Sequence, residues 1–541
     1  MSQATASEHD WWVERLDGLA GWGIWAVCRG RAVRQNPQFP QWQAAAESCM
    51  REHAEVAAAT ISPDLTFLSG RTADLIGISA ADDQSTCTTA RRNEWLGRAT
   101  LKGLVHHALD QSDGRTAGDR PGGPGMPLDA PPLAEAVSVG IDAAWLIGTE
   151  SGAQVAAVEL IRELATRPEI SRIVLLSDSG VVPERLAGPK VSGLGWTAAL
   201  ANGSPAVDIL HRPYQPGADV DFRRYLQVGT CVAITVLDQI AYDNPAYHES
   251  AWWQRRYQQA FDEQVCLADC VFAISDHVGT RLERQYKGRL AGPVRSVRLG
   301  TDHLRSQPPV AAATVGTTVA ALDGRRYLLV LGNDFEHKNR DFAVKVFADM
   351  CDRGYDGQLV LAGFHLDGGS SYGHELSGAG HHAERVVRLG SVPNADKVWL
   401  LQNAQAVLYP TSAEGFGLVP FEAASLGTPT AFVRFGPLLE TLPNVDACDG
   451  WQVRPFAEHV FRLLEHPERQ LDQIRAASER LTWRAHVDQV LAGYRFMLAP
   501  HAPWRTRRRA LPGWYVRWQR NADMFSYRVA NKLRRLAGRT P

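Results

Sequence analysis

From Val137 onward the chain alternates short apolar runs with stretches whose apolar residues recur at helical spacing. The runs at 137–142, 173–176, 207–210, 231–237 and 270–274 read as strands, and 173–176, 231–237 and 270–274 are almost unbroken, as in strands buried on both faces. Val155 to Leu164 carries the stripe of an amphipathic helix between two of them. A second series follows at 327–331, 358–362, 386–389, 406–409 and 430–433, with Phe342, Val346 and Phe347 at helical spacing after its first strand. Strands alternating with helices predict an α/β protein with two parallel sheets and right-handed crossovers. Between the series, Asp302 to Gly324 contains Pro308-Pro309 and reads as a linker. Upstream, the Gly/Pro-rich stretch Asp113 to Pro132 reads as a second one. The expected division is an N-terminal extension (1–110), a linker (111–135), a first Rossmann-like domain (136–305), the interdomain linker (306–325), a second Rossmann-like domain (326–500) and a tail (501–541). The extension, with Trp11, Trp12, Trp22, Trp25, Trp42 and Trp95, reads as helical or mixed pieces of unknown role.

Composition narrows the class. At 541 residues the chain exceeds one core, and 45% apolar and 21% charged residues are the proportions of a soluble globular protein. A net charge of −2 gives no whole-molecule reason to expect nucleic acid. Eight cysteines without a Cys-x-x-Cys pair give no disulfide framework, which fits a reducing compartment. The start is polar and acidic, so no signal peptide is expected, and no apolar stretch is long enough to span a bilayer. The expected location is the cytoplasm, extending to peripheral contact at the inner face of the plasma membrane.

The chemistry concentrates in Thr411-Ser412-Ala413-Glu414-Gly415-Phe416-Gly417-Leu418-Val419-Pro420-Phe421-Glu422-Ala423. A buried strand precedes it, and a helix over Phe421 to Leu426, closed by Gly427 and Pro429, follows. Ligands of open α/β sheets bind at the carboxyl ends of the strands. Gly415 and Gly417 let the backbone approach a ligand, and amides ahead of a helix favour an anion. A carboxylate on each side can accept hydrogen bonds from sugar or ribose hydroxyls. The constellation suits a sugar joined through phosphate to a nucleoside.

The segment resembles the E-x7-E signature of the family-four retaining nucleotide-sugar glycosyltransferases, which have the GT-B fold of two Rossmann-like domains facing a cleft. Glu414-Gly415-Phe416-Gly417, Glu422-Ala423 and Gly427-Thr428-Pro429 carry the likeness. The resemblance implies that Glu414 contacts the donor sugar and Glu422 the ribose, with the amides of Phe416, Gly417 and Leu418 near the sugar and diphosphate. Gly332-Asn333 followed by Lys338-Asn339 resembles the family's second donor motif. Lys338 is then the diphosphate cation, and Asn333 stands where relatives frequently carry Arg. Leu389-Gly390-Ser391-Val392 is similar to the turn near the base, which places Val392 there. In the first half the resemblance offers Gly152 and the strand-end Asp238 as acceptor-side residues; the His that usually precedes this Asp is Leu237 here. Thr482-Trp483 resembles the opening of the closing helix, and the likeness spans about Val137 to Leu498.

The implied activity is retaining transfer of a hexose from a nucleotide-diphosphate sugar to a hydroxyl of a glycan or lipid-linked acceptor, without cofactor or metal. The alternatives are a non-catalytic nucleotide-sugar-binding or scaffold protein of the same fold and a GT-B epimerase. His374, His381 and His382, near a Gly/Ser-rich loop, read as solvated rather than as a metal site. The tail from Trp504 to Arg539 holds eleven Lys/Arg and one Asp among six aromatics, the composition of an interfacial segment on an anionic membrane. No nucleic-acid partner is expected.

Overall fold

The computed structural model describes residues 135–146, 151–201, 205–366 and 368–499, together with the backbone of six strands before residue 109. Those strands are β1 (Trp11–Leu16), β2 (Ile24–Arg29), β3 (Val56–Ser62), β4 (Leu65–Ser69), β5 (Thr86–Cys87) and β6 (Val105–Ala108). They form one sheet in the order β5-β1-β2-β4-β3-β6, antiparallel except where β3 meets β6. The helical or mixed reading of the extension did not place this sheet, and the residues between its strands lie outside the described ones. Runs such as Ile24-Trp25-Ala26-Val27 combine aromatic and β-branched residues, which suit a pleated surface better than a helix. The Gly/Pro-rich linker (111–134) and the basic tail (504–539) lie outside the described residues.

The first α/β unit holds β7 (Val137–Asp142), β8 (Ile170–Ser177), β9 (Val191–Gly195), β10 (Val207–Arg212), β11 (Gly229–Val236), β12 (Cys270–Ala273) and β13 (Val294–Ser296). Its seven strands are ordered β13-β12-β11-β10-β7-β8-β9, and every pairing is parallel. The second unit holds β14 (Tyr327–Leu331), β15 (Gln358–Ala362), β16 (Val386–Leu389), β17 (Ala406–Tyr409) and β18 (Thr430–Phe432). They pair in parallel in the order β16-β15-β14-β17-β18. Central runs such as Leu328-Leu329 and Val407-Leu408 are completely buried, as sheets covered on both faces require.

The helix Gly152–Thr166 follows β7 and is opened by a capping box: Ser151 accepts from the Gln154 amide while Gln154 accepts from the Ser151 amide. The helix Arg340–Asp352 follows β14, and Val419–Ser425 follows β17. The closing helix, Trp483–Leu498, starts at Thr482, whose hydroxyl accepts from the Ala485 amide. Its side chains Val487, Val490, Leu491, Tyr494 and Met497 join the core of the first unit with Val139, Ile141 and Phe272. Sequence order alone assigns this helix to the second domain, and the chain instead crosses back.

Candidate functional site

The loops at the carboxyl ends of the two sheets meet. After β11, the carbonyl of Leu237 lies so close to Gly415 that a Cβ there would sit 1.8 Å from its oxygen, so only glycine fits the contact. After β7, Gly152 stands opposite Leu418, whose Cδ1 is 3.9 Å from where a Gly152 Cβ would be. Tyr247, in the loop beyond β11, shares a 2.5 Å hydrogen bond with Nδ1 of His337 in the loop beyond β14. Its ring packs on Phe335 at 4.6 Å between centroids. Glu440, in the helix Gly436–Thr441, accepts from the amides of Asp276 and His277 at 3.0 and 2.9 Å, where the helix Asp276–Gln285 of the first unit begins. The signature loop therefore closes one wall of an interdomain cleft.

Within it, Lys338 and Glu414 are directly paired, Nζ to Oε1 at 2.5 Å. Lys338 ends a 3-10 turn, and the next residue, Asn339, takes the left-handed conformation at φ 52°. Its Nδ2 donates to the carbonyl of Pro410 and to Ser412 Oγ at 2.8 and 2.9 Å. That clamp ties the Lys-Asn turn to the loop bearing Glu414. The hydroxyl of buried Tyr409, the last residue of β17, bonds Glu414 as well. Burial first, and then the Glu414 charge, hold the Tyr409 phenol well above its ordinary range, so it stays a donor. Gly417 sits at φ +87° with Leu438 against it, which turns the chain into the short helix.

Asp238 joins this group from the first unit. Burial drives its pKa up to about 6, the Ile240 amide partly offsets that, and the charge of Glu414 raises it further. The Ile240 amide donates to its Oδ1 at 2.9 Å. Gly332 follows β14 beside the stem of Lys338. Asn333 keeps a covered Oδ1 that makes no hydrogen bond. Val392 packs against the core beside β16 rather than on Lys338 or Glu414.

Glu422 differs from Glu414 in its surroundings. It is 3% exposed, and its Oε1 accepts from Lys397 Nζ at 2.7 Å and His303 Nε2 at 3.0 Å. The Trp483 indole N–H, which can only donate, reaches His303 Nδ1 at 3.4 Å, so the imidazole proton lies on Nε2 and points at the carboxylate. Burial pushes the Glu422 pKa up, but Lys397 and His303 outweigh it and bring the value to about 2. Lys397, in the helix Asn394–Asn403, and His303, in the interdomain linker, were not singled out in the sequence. Each glutamate therefore has its own lysine, Lys338 beside Glu414 and Lys397 beside Glu422.

In the first unit, Arg212 at the end of β10 pairs with buried Asp142 at 2.5 Å, and Tyr225 donates to the same carboxylate. Trp145 stacks on Tyr214 at 4.1 Å beside this network. His211 is buried between Tyr494 Oη (2.7 Å) and Thr235 Oγ1 (2.8 Å); burial lowers its pKa to about 3, so it is a neutral core residue.

Residues 319–480 match the family described as glycosyl transferases group 1. The chain is 39% identical over 83 residues to the alpha-1,3/1,6-mannosyltransferase ALG2 of Eremothecium gossypii, covering 14% of this chain and 16% of that one. It is 23% identical over 372 residues to the O-antigen chain mannosyltransferase B of Escherichia coli, covering 63% of this chain and 94% of that one. Across the first curated relatives it matches, the chain spans only 16% to 27% of their length. Sucrose-phosphate synthase from Thermosynechococcus elongatus superposes with a TM-score of 0.50 at 19% identity, over 66% of this chain and 98% of that one, a likeness of fold. The chain has the GT-B fold, and its second half carries a glycosyl transferases group 1 domain over residues 319–480.

Proposed function

We propose that this chain is a retaining glycosyltransferase that moves a hexose from a nucleotide-diphosphate sugar to a hydroxyl of a glycan or lipid-linked acceptor. The observation that carries the reading is the Lys338–Glu414 pair, held by Asn339 and Tyr409 and faced across the cleft by Gly152 and Asp238. The mannosyltransferase names of two relatives support a hexose donor.

The difficult event is departure of the nucleoside diphosphate from the anomeric carbon. Lys338 has three N–H donors, one directed at Glu414, and the other two suit phosphate oxygens. A preorganised cation beside glycine-rich backbone stabilises the charge that develops on the leaving group. The C1–O bond to diphosphate breaks, the acceptor oxygen bonds C1 on the same face, and the acceptor proton passes to the departing phosphate oxygen. Glu414 orients the sugar hydroxyls rather than attacking C1. Glu422, fixed by Lys397 and His303, serves the ribose side.

A lipid-linked acceptor gains support from the helix Ala251–Leu267, where Trp252 and Trp253 are 37% and 43% exposed and Arg255 and Arg256 are exposed beside them. Exposed indoles with adjacent guanidinium groups suit an anionic bilayer interface. Flotation with anionic vesicles, lost on Trp252→Ala/Trp253→Ala, tests that part. For the reaction, Glu414→Ala is expected to abolish sugar transfer while the melting temperature stays near wild type. Full transfer by that variant would overturn the assignment. A thermal-shift panel of UDP-, GDP-, ADP- and TDP-sugars identifies the donor by mass action.

A further inference from the structure

The three histidines grouped in sequence part company in space. His374 reaches toward Glu336 in the loop beyond β14, at 3.4 Å. His381 and His382 turn instead to Asp352, the last residue of the helix Arg340–Asp352 and thirty positions upstream of His382. His382 Nε2 lies 2.8 Å from Asp352 Oδ1 and His381 Nε2 lies 3.9 Å from it. The two imidazole centroids are 3.8 Å apart. One ligand atom from each of the three side chains falls within 4.8 Å of the others. We propose that Asp352, His381 and His382 form a binding site for a zinc-class divalent cation.

Three arguments converge on that chemistry. A tetrahedral Zn2+ with bonds of 2.0–2.1 Å needs about 3.3 Å between its ligand atoms; the two His–Asp separations of 2.8 and 3.9 Å bracket this spacing, and all three ligand atoms lie within 4.8 Å of one another. Two imidazoles and one carboxylate are a borderline-soft donor set, which selects zinc, nickel or copper over magnesium and calcium. The electrostatics favour a cation. Asp352 lies at a helix C-terminus, the negative end of the macrodipole. The guanidinium groups nearby are engaged elsewhere: Arg353 with Asp349 at 3.3 Å, and Arg385 with the carbonyls of Tyr355 and Gly357. Asp352 contributes a carboxylate to the site. His382 is mostly buried, while Asp352 and His381 are 62% and 80% exposed, so an ion has an open approach and room for a water as fourth ligand.

The site has a mechanical meaning. The helix Arg340–Asp352 presents Lys338 and Asn339 ahead of its first turn, and its thirteen residues put Asp352 about 20 Å away. The chain between 368 and 385 braces that same donor loop, because Phe335 bridges to Ser370, the Ser371 amide donates to the carbonyl of Asp334, and Arg340 pairs with buried Glu375 at 3.0 Å. An ion between Asp352 and the turn Gly380–Arg385 pins the far end of this brace. Its role is structural, apart from the transfer chemistry.

The test uses the full chain stripped with a chelator. Calorimetric titration with ZnCl2 at pH 7.5 is expected to show one saturable ion in the wild type that His381→Ala/His382→Ala lacks. Asp352→Asn, isosteric and exposed, should weaken it at least tenfold. Co2+ should give tetrahedral visible absorption in the wild type alone, and Zn2+ but not Mg2+ should raise the wild-type melting temperature. Absence of Zn2+ binding in the wild type, or equal stoichiometry and affinity in the wild type and both variants, overturns the proposal.

Discussion

Glu422→Gln isolates the charge on the buried glutamate while keeping its size. The native carboxyl has its pKa brought from 4.5 to about 2 against the cost of burial, with Lys397 and His303 supplying the attraction. A depression of that size corresponds to about 3 kcal/mol of stabilisation at neutral pH. The variant also leaves Lys397, whose side chain is 18% exposed, without its anion. Because the folded pKa lies below the unfolded one, the contribution is complete above about pH 4.5 and is lost as pH falls through about 2. Near pH 3 it should have dropped to roughly half or less of its neutral value. For a domain of this size about 3 kcal/mol lowers the melting temperature by roughly 6–12 °C. Melting of wild type, Glu422→Gln, Lys397→Met and the double variant, at pH 7 and pH 3, reads both the size and the coupling. The double variant should lose less than the sum of the singles. A Glu422→Gln deficit that is equal at the two pH values, or singles that simply add, would refute the pairing.

Three further outcomes follow from the cleft. Lys338→Ala should lower kcat by about 100- to 1000-fold with the fold intact, measured as nucleoside diphosphate release; near-wild-type turnover excludes Lys338 as the leaving-group cation. Gly415→Ala places a methyl 1.8 Å from the Leu237 carbonyl oxygen and should cost about 1–3 kcal/mol with a sharp fall in kcat/KM, while Gly188→Ala, whose Cβ meets nothing within 4 Å, serves as the neutral control. Tyr247→Phe deletes the bond to His337 but keeps the ring on Phe335, and should raise the donor KM about fivefold, matching about 1 kcal/mol; an unchanged KM shows that this contact does not shape the donor loop.

Much of the α/β architecture was legible because central parallel strands must be apolar on both faces, as Tyr327–Leu331 and Gln358–Ala362 are. The strands that escaped notice lack that signature: Val191–Gly195 contains two glycines, and Val294–Ser296 has three residues, one of them Arg295. The N-terminal sheet escaped because its short strands mix tryptophan and β-branched residues with Glu14, Arg15 and a run of alanines, and strand preference depends on what a strand packs against. Glu414, Lys338 and Glu422 stood out through short-range spacing. Their partners did not, since Lys397 is 25 residues from Glu422 and His303 is 119 away, and each looks like an ordinary polar residue until the chain folds. Tyr409 looked like a strand residue and is one, yet its hydroxyl fixes Glu414.

The crossing of Trp483–Leu498 decides where the polypeptide can be cut. Severed near residue 315, the leading fragment keeps the seven strands of the first α/β unit but forfeits Val487, Val490, Leu491, Tyr494 and Met497, and His211 loses the Tyr494 hydroxyl from Nδ1. The trailing fragment carries Trp483–Leu498 without the first-unit core that its apolar side chains join. The pieces should therefore stick together when co-expressed and aggregate when made apart, so this enzyme candidate is a natural split-protein pair rather than two independent modules.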